Sequence, residues 1–242
     1  MKQTYFISDL HLSPERPEIA TAFLSFLSNS AQSAEAIYLL GDLFEYWIGD
    51  DAAELLGATE ILAAMQKSSQ QIPCYFIAGN RDFLVGEEFS KKTGFKILED
   101  ETIINLYGKP TLILHGDSLC TDDIAHQQFR DAMVTNLEWK TQFLQLAIPE
   151  RIEQAKLARM QSQEHKSSVS MGIMDVTESS VLNAFKKREI AQMIHGHTHR
   201  QNCHDYSVDG IDLKRYVLGD WDKTSSVLIA NDDGLNIVNQ AI

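Results

Sequence analysis

Thr4-Tyr5-Phe6-Ile7-Ser8-Asp9-Leu10-His11, near the start of the chain, is a short apolar run that ends on an aspartate and a histidine two positions apart. A run of that length with aromatic and β-branched side chains reads as a buried strand, and the polar residues after it as a loop at the strand's end. The same grammar recurs four times. Ala36 to Leu40 runs into Gly41-Asp42, and Cys74 to Ala78 into Gly79-Asn80-Arg81-Asp82. Thr111 to His115 stops before Gly116, and Ile190 to His195 runs into Gly196-His197-Thr198-His199.

Helical spacing fills the intervals. Ile19, Phe23, Phe26 and Leu27 recur with that period between the first two strands, and Leu55, Leu56, Leu62 and Met65 do so in the next interval. Strand, helix, strand alternation predicts an α/β layered fold, whose sites lie at the ends of core strands. From Ile124 to about Met160 strand signals cease. Phe129, Met133, Val134 and Leu137 share one helical face, and Trp139, Phe143, Leu144, Leu146, Ala147 and Ile148 crowd together before Pro149. This predicts a helical insertion at about 124–168 within a single domain spanning 1–242. Beyond it, Arg215 to Leu218, Ser226 to Ala230 and Leu235 to Val238 read as antiparallel strands closing a second sheet, the last two joined by a tight turn at Asn231-Asp232-Asp233-Gly234.

Composition narrows the class. At 242 residues and 44% hydrophobic the chain can bury a substantial core. It has neither the ~18 consecutive apolar residues of a spanning helix nor a signal core at Met1, which predicts a cytosolic protein or one docked on a membrane surface. Cys74, Cys120 and Cys203 are an odd, scattered set, expected to be packed thiols in a reducing compartment. The net charge of -13 argues against nucleic-acid binding and would repel a phosphorylated ligand at long range. Between Trp139 and Lys166, however, Lys140, Arg151, Lys156, Arg159 and Lys166 face three carboxylates, Glu150, Glu153 and Glu164. That segment is either a surface for an anion or a solvated helix face.

The five strand ends together supply Asp9, His11, Asp42, Asn80, His115, His197 and His199: two carboxylates, one amide and four imidazoles. Such a set suits two divalent cations about 3.5–4 Å apart, provided one ligand bridges them to offset their repulsion. Asp42 is the natural bridge. Asp9, His11, Asp42 and His199 are assigned to one ion, and Asp42, Asn80, His115 and His197 to the other. Mixed oxygen and nitrogen donors favour two Mn2+ ions, with iron or zinc as alternatives, over a calcium or magnesium cage. Water held between such ions is acidified and aligned for in-line attack on phosphorus, so a metallo-hydrolase of phosphate compounds is expected. No Gly-x-Ser-x-Gly elbow, phosphate-binding Gly-Lys loop or dinucleotide fingerprint competes with that reading. Lone histidines such as His126, His165 and His204 are read as satisfied or exposed.

The ordered blocks Asp-x-His, Gly-Asp, Gly-Asn, a strand-end His and Gly-His-x-His resemble the calcineurin-like metallophosphoesterase superfamily. The resemblance implies a layered α/β/β/α sandwich of two mixed sheets carrying a helical cap. Most of that superfamily places a histidine after the Asn, a general acid for an alcohol leaving group; this chain has Arg81. An arginine keeps its proton, but its planar fork suits a pair of phosphate oxygens. The leaving group should therefore need no proton, as with a phosphate monoester whose second pKa is about 6.

With Arg81 in view, Leu40 to Glu45, Trp47-Ile48-Gly49-Asp50-Asp51, Cys74 to Leu84, His115 to Asp123, Ile173 to Val176 and Ile194 to Arg200 resemble the UDP-2,3-diacylglucosamine pyrophosphatase branch. That resemblance implies a manganese-dependent enzyme held peripherally on the cytoplasmic face of the inner membrane, with no obligate protein partner. It would cleave UDP-2,3-diacylglucosamine by water attack on the α-phosphorus to give UMP and 2,3-diacylglucosamine 1-phosphate. It also implies that Asn80 and Arg81 meet the phosphate, Asp123 the sugar, Ser162 and Lys166 the head group, and that His197 touches both metal and substrate. The branch usually carries a lysine close to where this chain has Val169. Trp139, Phe143, Leu144, Leu146 and Ile148 would line an acyl groove or form ordinary core; Trp47 has the same two readings, and Asp123 is equally suited to cap a helix before Ile124. The alternatives are a relative acting on another nucleotide diphosphate or phosphate ester, or a scaffold that kept the fold without catalysis.

Overall fold

The computed structural model describes residues 3–30, 34–168 and 172–242, with 165–168 described by backbone alone. Strand β1 (Gln3–Ile7), helix α1 (Pro17–Ser30), β2 (Ala34–Leu40), α2 (Thr59–Ser69), β3 (Cys74–Ile77), α3 (Glu87–Thr93) and β4 (Lys96–Leu98) form an alternating α/β half. β1 to β4 are parallel neighbours. Two late strands, β10 (Thr224–Asn231) and β11 (Gly234–Ala241), extend this sheet to the order β11-β10-β1-β2-β3-β4. They pair antiparallel through the turn at Asn231 to Gly234 as expected, but they join the first sheet rather than the second. Ser226, Leu228 and Ala230 are the reason: they are buried, and Leu228 and Ala230 pack with Phe6 between the sheets.

The second sheet has the order β5-β6-β7-β9-β8, built from β5 (Thr102–Leu106), β6 (Lys109–Ile113), β7 (Gln192–His195), β8 (Asn202–Val208) and β9 (Ile211–Val217). β6, β7 and β9 run parallel, with antiparallel edges at β5 and β8. Strands β4, β5 and β8 carry no clean apolar alternation; β8 is mostly exposed, which is why the sequence pattern does not announce it.

Period-two alternation assigns each strand residue to a layer. Phe6, Leu40, Ile77, Ile113, Ile194 and Leu218 meet between the sheets. Tyr5, Ile7, Ile37, Leu39 and Phe76 face the other way, against Ile19, Phe23 and Leu27 of α1 and Ile61, Leu62 and Met65 of α2. On the outer face of the second sheet, Leu112 and Met193 pack on Val181 and Phe185 of α7 (Glu178–Arg188). The result is an α/β/β/α sandwich. Leu55 and Leu56 precede α2 in a turn rather than continuing its face, and Leu55 is 69% exposed.

Residues 124–168 are helical: α4 (Ile124–Phe129), a π-helical turn (Arg130–Val134), α5 (Leu137–Leu144) and α6 (Ile148–Ser168). The single face expected through Leu137 is interrupted. Asn136 caps α5 by accepting from Trp139 N–H, which restarts the helical phase and leaves Leu137 77% exposed. Phe143 is buried in the main core, with Trp139 stacked on it at 4.7 Å and set 6.0 Å from Phe83. The cysteines divide: Cys74 and Cys120 are packed as expected, whereas Cys203, on the open strand β8, is exposed.

Two of the five cations weighed for an anion are committed to structure. Arg151 is buried, donates to the carbonyls of Leu146 and Ile48, and grips both oxygens of Asp51 at 2.8 and 2.5 Å. Arg159 pairs with Glu45. Lys140 lies over the Phe83 ring. Replacing Arg151 by alanine is expected to cost about 2 kcal/mol, because two carbonyls lose a buried donor, and to lower Tm by roughly 4–8 °C. Asp51→Asn should cost under about 1 kcal/mol, since Asp51 is more than half exposed. The Arg151 guanidinium holds Asp51 below the usual carboxylate range. Its contribution is therefore complete above the unfolded pKa and fades as pH falls through the lowered folded one. Paired urea melts test this clamp; an Arg151→Ala curve superimposed on wild type would remove it.

Candidate metal centre

All five strands that precede the polar blocks end on one side of the sandwich, and their loops are stitched together by backbone. Asp9 N–H donates to Gly41 O, His11 N–H to Asp42 O and Gly196 N–H to His115 O. Such close approach leaves no room for side chains. A Cβ on Gly79 would sit 2.2 Å from Asp42 Oδ1, and one on Gly196 2.3 Å from Asp9 Oδ2. The Gly-Asp, Gly-Asn and Gly-His pairings are thus steric requirements of the convergence. Asp9, His11, Asp42, His197 and His199 all adopt φ between 50° and 67°, the left-handed region that such side chains rarely enter.

The expected ligand residues come together in two groups. Asp9, His11 and His199 bring donor atoms within 4.8 Å of one another, and Asp42, His115 and His197 do the same. Asp42 spans them: Oδ1 lies 3.5 Å from His115 Nε2, and Oδ2 lies 4.0 Å from His11 Nε2. Asn80 Oδ1 lies 3.1 Å from His115 Nε2 and 3.0 Å from His197 Nδ1, which adds it to the second group.

Polar neighbours on the far side of the rings set which atoms face inward. His115 Nδ1–H donates to Leu40 O at 2.8 Å, so Nε2 presents a lone pair to the carboxylate and amide oxygens. His199 Nδ1 lies 3.4 Å from Asp220, leaving its Nε2 3.4 Å from Asp9 Oδ1. His11 Nδ1 lies 3.7 Å from Glu45, and its Nε2 approaches His199 Nε2 at 3.3 Å. Asp9 Oδ2 accepts from Ser8 Oγ and His197 N–H, while the buried Oδ1 has no hydrogen-bond partner among the described residues. Lone pairs thus face lone pairs, and an orphaned carboxylate oxygen lies among them: a donor set that fits divalent cations.

The electrostatics agree. Burial opposes the charge on Asp9, yet the neighbouring His199, His115 and His11 hold its carboxyl far below the usual range. Burial likewise opposes charge on His115 and His199, but Asp42 and Asp9 lift His115 to about 9, and Asp9 and Asp220 lift His199 to about 10. The carboxylates demand positive charge at these atoms.

Several organising residues are not singled out by the sequence reading. Asp82, fully buried, accepts from the N–H groups of Gly79, Asp42 and Leu43, binding the second and third loops together. Burial and the nearby Asp42 raise it to about 7. Asp117 is buried against Arg130 and His126, and the His126 ring stacks on His197 at 5.1 Å. His195 Nε2 accepts from Arg215, so its Nδ1–H donates to Gly196 O; burial and the Arg215 guanidinium lower it to about 3. Glu45, Asp82 and Asp117 sit within the quoted motifs, and those motifs are the only sequence signal for them.

Among the residues expected to meet substrate, Arg81 donates its backbone N–H to Asp42 Oδ1 and its guanidinium to Ser162 Oγ at 3.2 Å, while Nε is buried without a partner among the described residues. Asp123 Oδ1 caps α4 through His126 N–H. Trp47 is core, stacked on Phe44 with Nε1–H donating to Asp50. The Lys166 side chain and Val169 lie outside the described residues.

Residues 3–201 match the family described as calcineurin-like phosphoesterase. The UDP-2,3-diacylglucosamine hydrolase of Histophilus somni (strain 129Pt) is 44% identical over 239 residues, covering 98% of this chain and 100% of that protein. That of Coxiella burnetii (strain Dugway 5J108-111) is 45% identical over 236 residues, covering 97% and 96%. A solved archaeal phosphodiesterase superposes with a TM-score of 0.51 at 12% identity over 99% of both chains, a likeness of fold.

Proposed function

The chain belongs to the calcineurin-like phosphoesterase family, and from that premise we propose that it hydrolyses the pyrophosphate bond of UDP-2,3-diacylglucosamine in lipid A biosynthesis. The observation that carries this reading is Asp42 facing one donor group with each oxygen while Arg81 stands beside it. Asp9, His11, Asp42 and His199 would hold one Mn2+ and Asp42, Asn80, His115 and His197 the other. When bound, the cations supply Lewis acidity toward phosphoryl oxygens and acidify water near neutral pH.

The residues of the chain divide the remaining work. Asn80, Arg81 and His197 would orient the diphosphate, Arg81 through a fork matched to two oxygens. Water adds to the α-phosphorus and gives up one proton to solvent, the bond from that phosphorus to the bridging oxygen breaks, and 2,3-diacylglucosamine 1-phosphate departs as a dianion. Arg81 donates hydrogen bonds to it but no proton. Asp123, Ser162 and Lys166 would hold the glucosamine head group, and the Arg81–Ser162 contact supports that arrangement.

We read 124–168 as a cap for the acyl chains. Ile124, Leu137, Leu144, Leu157 and Met160 are exposed on it, and each buried methylene of an acyl chain is worth about 0.8 kcal/mol. Peripheral attachment to the inner-membrane surface fits these exposed apolar side chains. Among the described residues no helix is long and apolar enough to cross a membrane.

Hydrolysis in oxygen-18 water should place the label in UMP. Label in the lipid phosphate would overturn the direction of attack, and preference for a simple aryl phosphate over the nucleotide would favour another ester as substrate.

A further inference from the structure

Behind the loop that carries His197 and His199 lies a cavity of about 250 Å³, room for roughly eight waters. Thr198, Arg200, Asn202, His204, Arg215 and Asp175 line it. Nothing in the proposed reaction uses it.

Its charge is unusual for so acidic a chain. Arg215 is only 6% exposed, and its hydrogen-bond partners are the Tyr206 hydroxyl and His195, an imidazole that accepts from it and is therefore neutral. No carboxylate of the described residues pairs with it. Arg200 supplies a second guanidinium, and Asp175, paired with it, is the one carboxylate of the lining among the described residues. Two cations thus face one anion in a recess. A buried guanidinium lacking a counter-charge is costly, and a ligand anion relieves that cost. The second observation is a hydroxyl: Thr198 Oγ1 is buried with no hydrogen-bond partner among the described residues. With the Asn202 amide it completes a set of donors suited to oxyanion oxygens.

We propose that this cavity binds a phosphate group through Arg215, Arg200, Thr198 and Asn202, at a site separate from the metal centre. The phosphate arrives free or as part of a nucleotide. Because Thr198 stands between His197 and His199, its occupant steadies the loop that carries both.

The test is calorimetric titration of the full-length, cation-loaded protein with inorganic phosphate, UMP and uridine. Wild type and Arg81→Ala should share a phosphate-binding component that Arg215→Gln and Arg200→Ala each weaken tenfold or more. UMP binding in that component more tightly than inorganic phosphate, with uridine silent, marks a nucleotide phosphate; the reverse order marks free phosphate. Absence of the component from wild type, or its survival in both arginine variants, overturns the proposal. If circular dichroism shows Arg215→Gln misfolded, Arg200→Ala alone decides, since that side chain is a third exposed. No arm reads turnover, so the result stands apart from the assignment of the reaction.

Discussion

Asp42→Asn is expected to lower turnover of UDP-2,3-diacylglucosamine by more than about 100-fold, exceeding the 10–100-fold typical of losing a residue that only supports a ligand, and to reduce bound divalent cations. Its two carboxylate oxygens face different donor groups, 3.5 Å from His115 and 4.0 Å from His11. An asparagine offers one neutral acceptor and turns an N–H donor toward the other group, so it cannot serve both. The fold should survive. The amide oxygen can still accept from Arg81 N–H, and removing a charge among Asp9, Asp42 and Asp82 relieves repulsion that burial intensifies. Elemental analysis of the purified variant beside its thermal melt checks both halves. Full cation content with near-normal turnover would show that Asp42 bridges nothing.

Arg81→His should depress cleavage of the pyrophosphate by roughly 10²–10³, the usual effect of removing one preorganised donor from a developing anion, with cation content intact. The separation follows from geometry. Arg81 reaches Asp42 through its backbone N–H, which every residue but proline retains, whereas the guanidinium points to Ser162. The histidine variant should also lose less on an ester with a poor alkoxide leaving group, because an imidazolium can supply the proton that arginine withholds. Rates on both substrates, with elemental analysis, test this. Wild-type pyrophosphate cleavage in the variant would remove the leaving-group argument.

The layers and the seven inward-facing side chains are legible in the sequence for one physical reason. A strand buried on both faces is a continuous apolar run, and here each such run stops at its own polar block, as Phe6-Ile7 does before Asp9 and Met193-Ile194 before His197. What escapes is whatever depends on a distant partner. Strand β8 is exposed and takes its place from pairing with β9, and β10 chooses its sheet through Leu228 against Phe6. Arg151 and Arg159 look like cations available to a ligand until Asp51 and Glu45 are seen to hold them. Asp82 is only the last residue of the third block in the sequence, and its role shows once its three N–H donors are counted.

Backbone geometry at Asp9, His11, Asp42, His197 and His199 bears on how such a chain would change if selection for activity were lifted. Each occupies a left-handed conformation that glycine or asparagine accommodates more comfortably, at a penalty of order 1 kcal/mol apiece for the present residues. A descendant freed from its chemistry would drift at these five points toward the permissive residues and become sturdier as it fell silent.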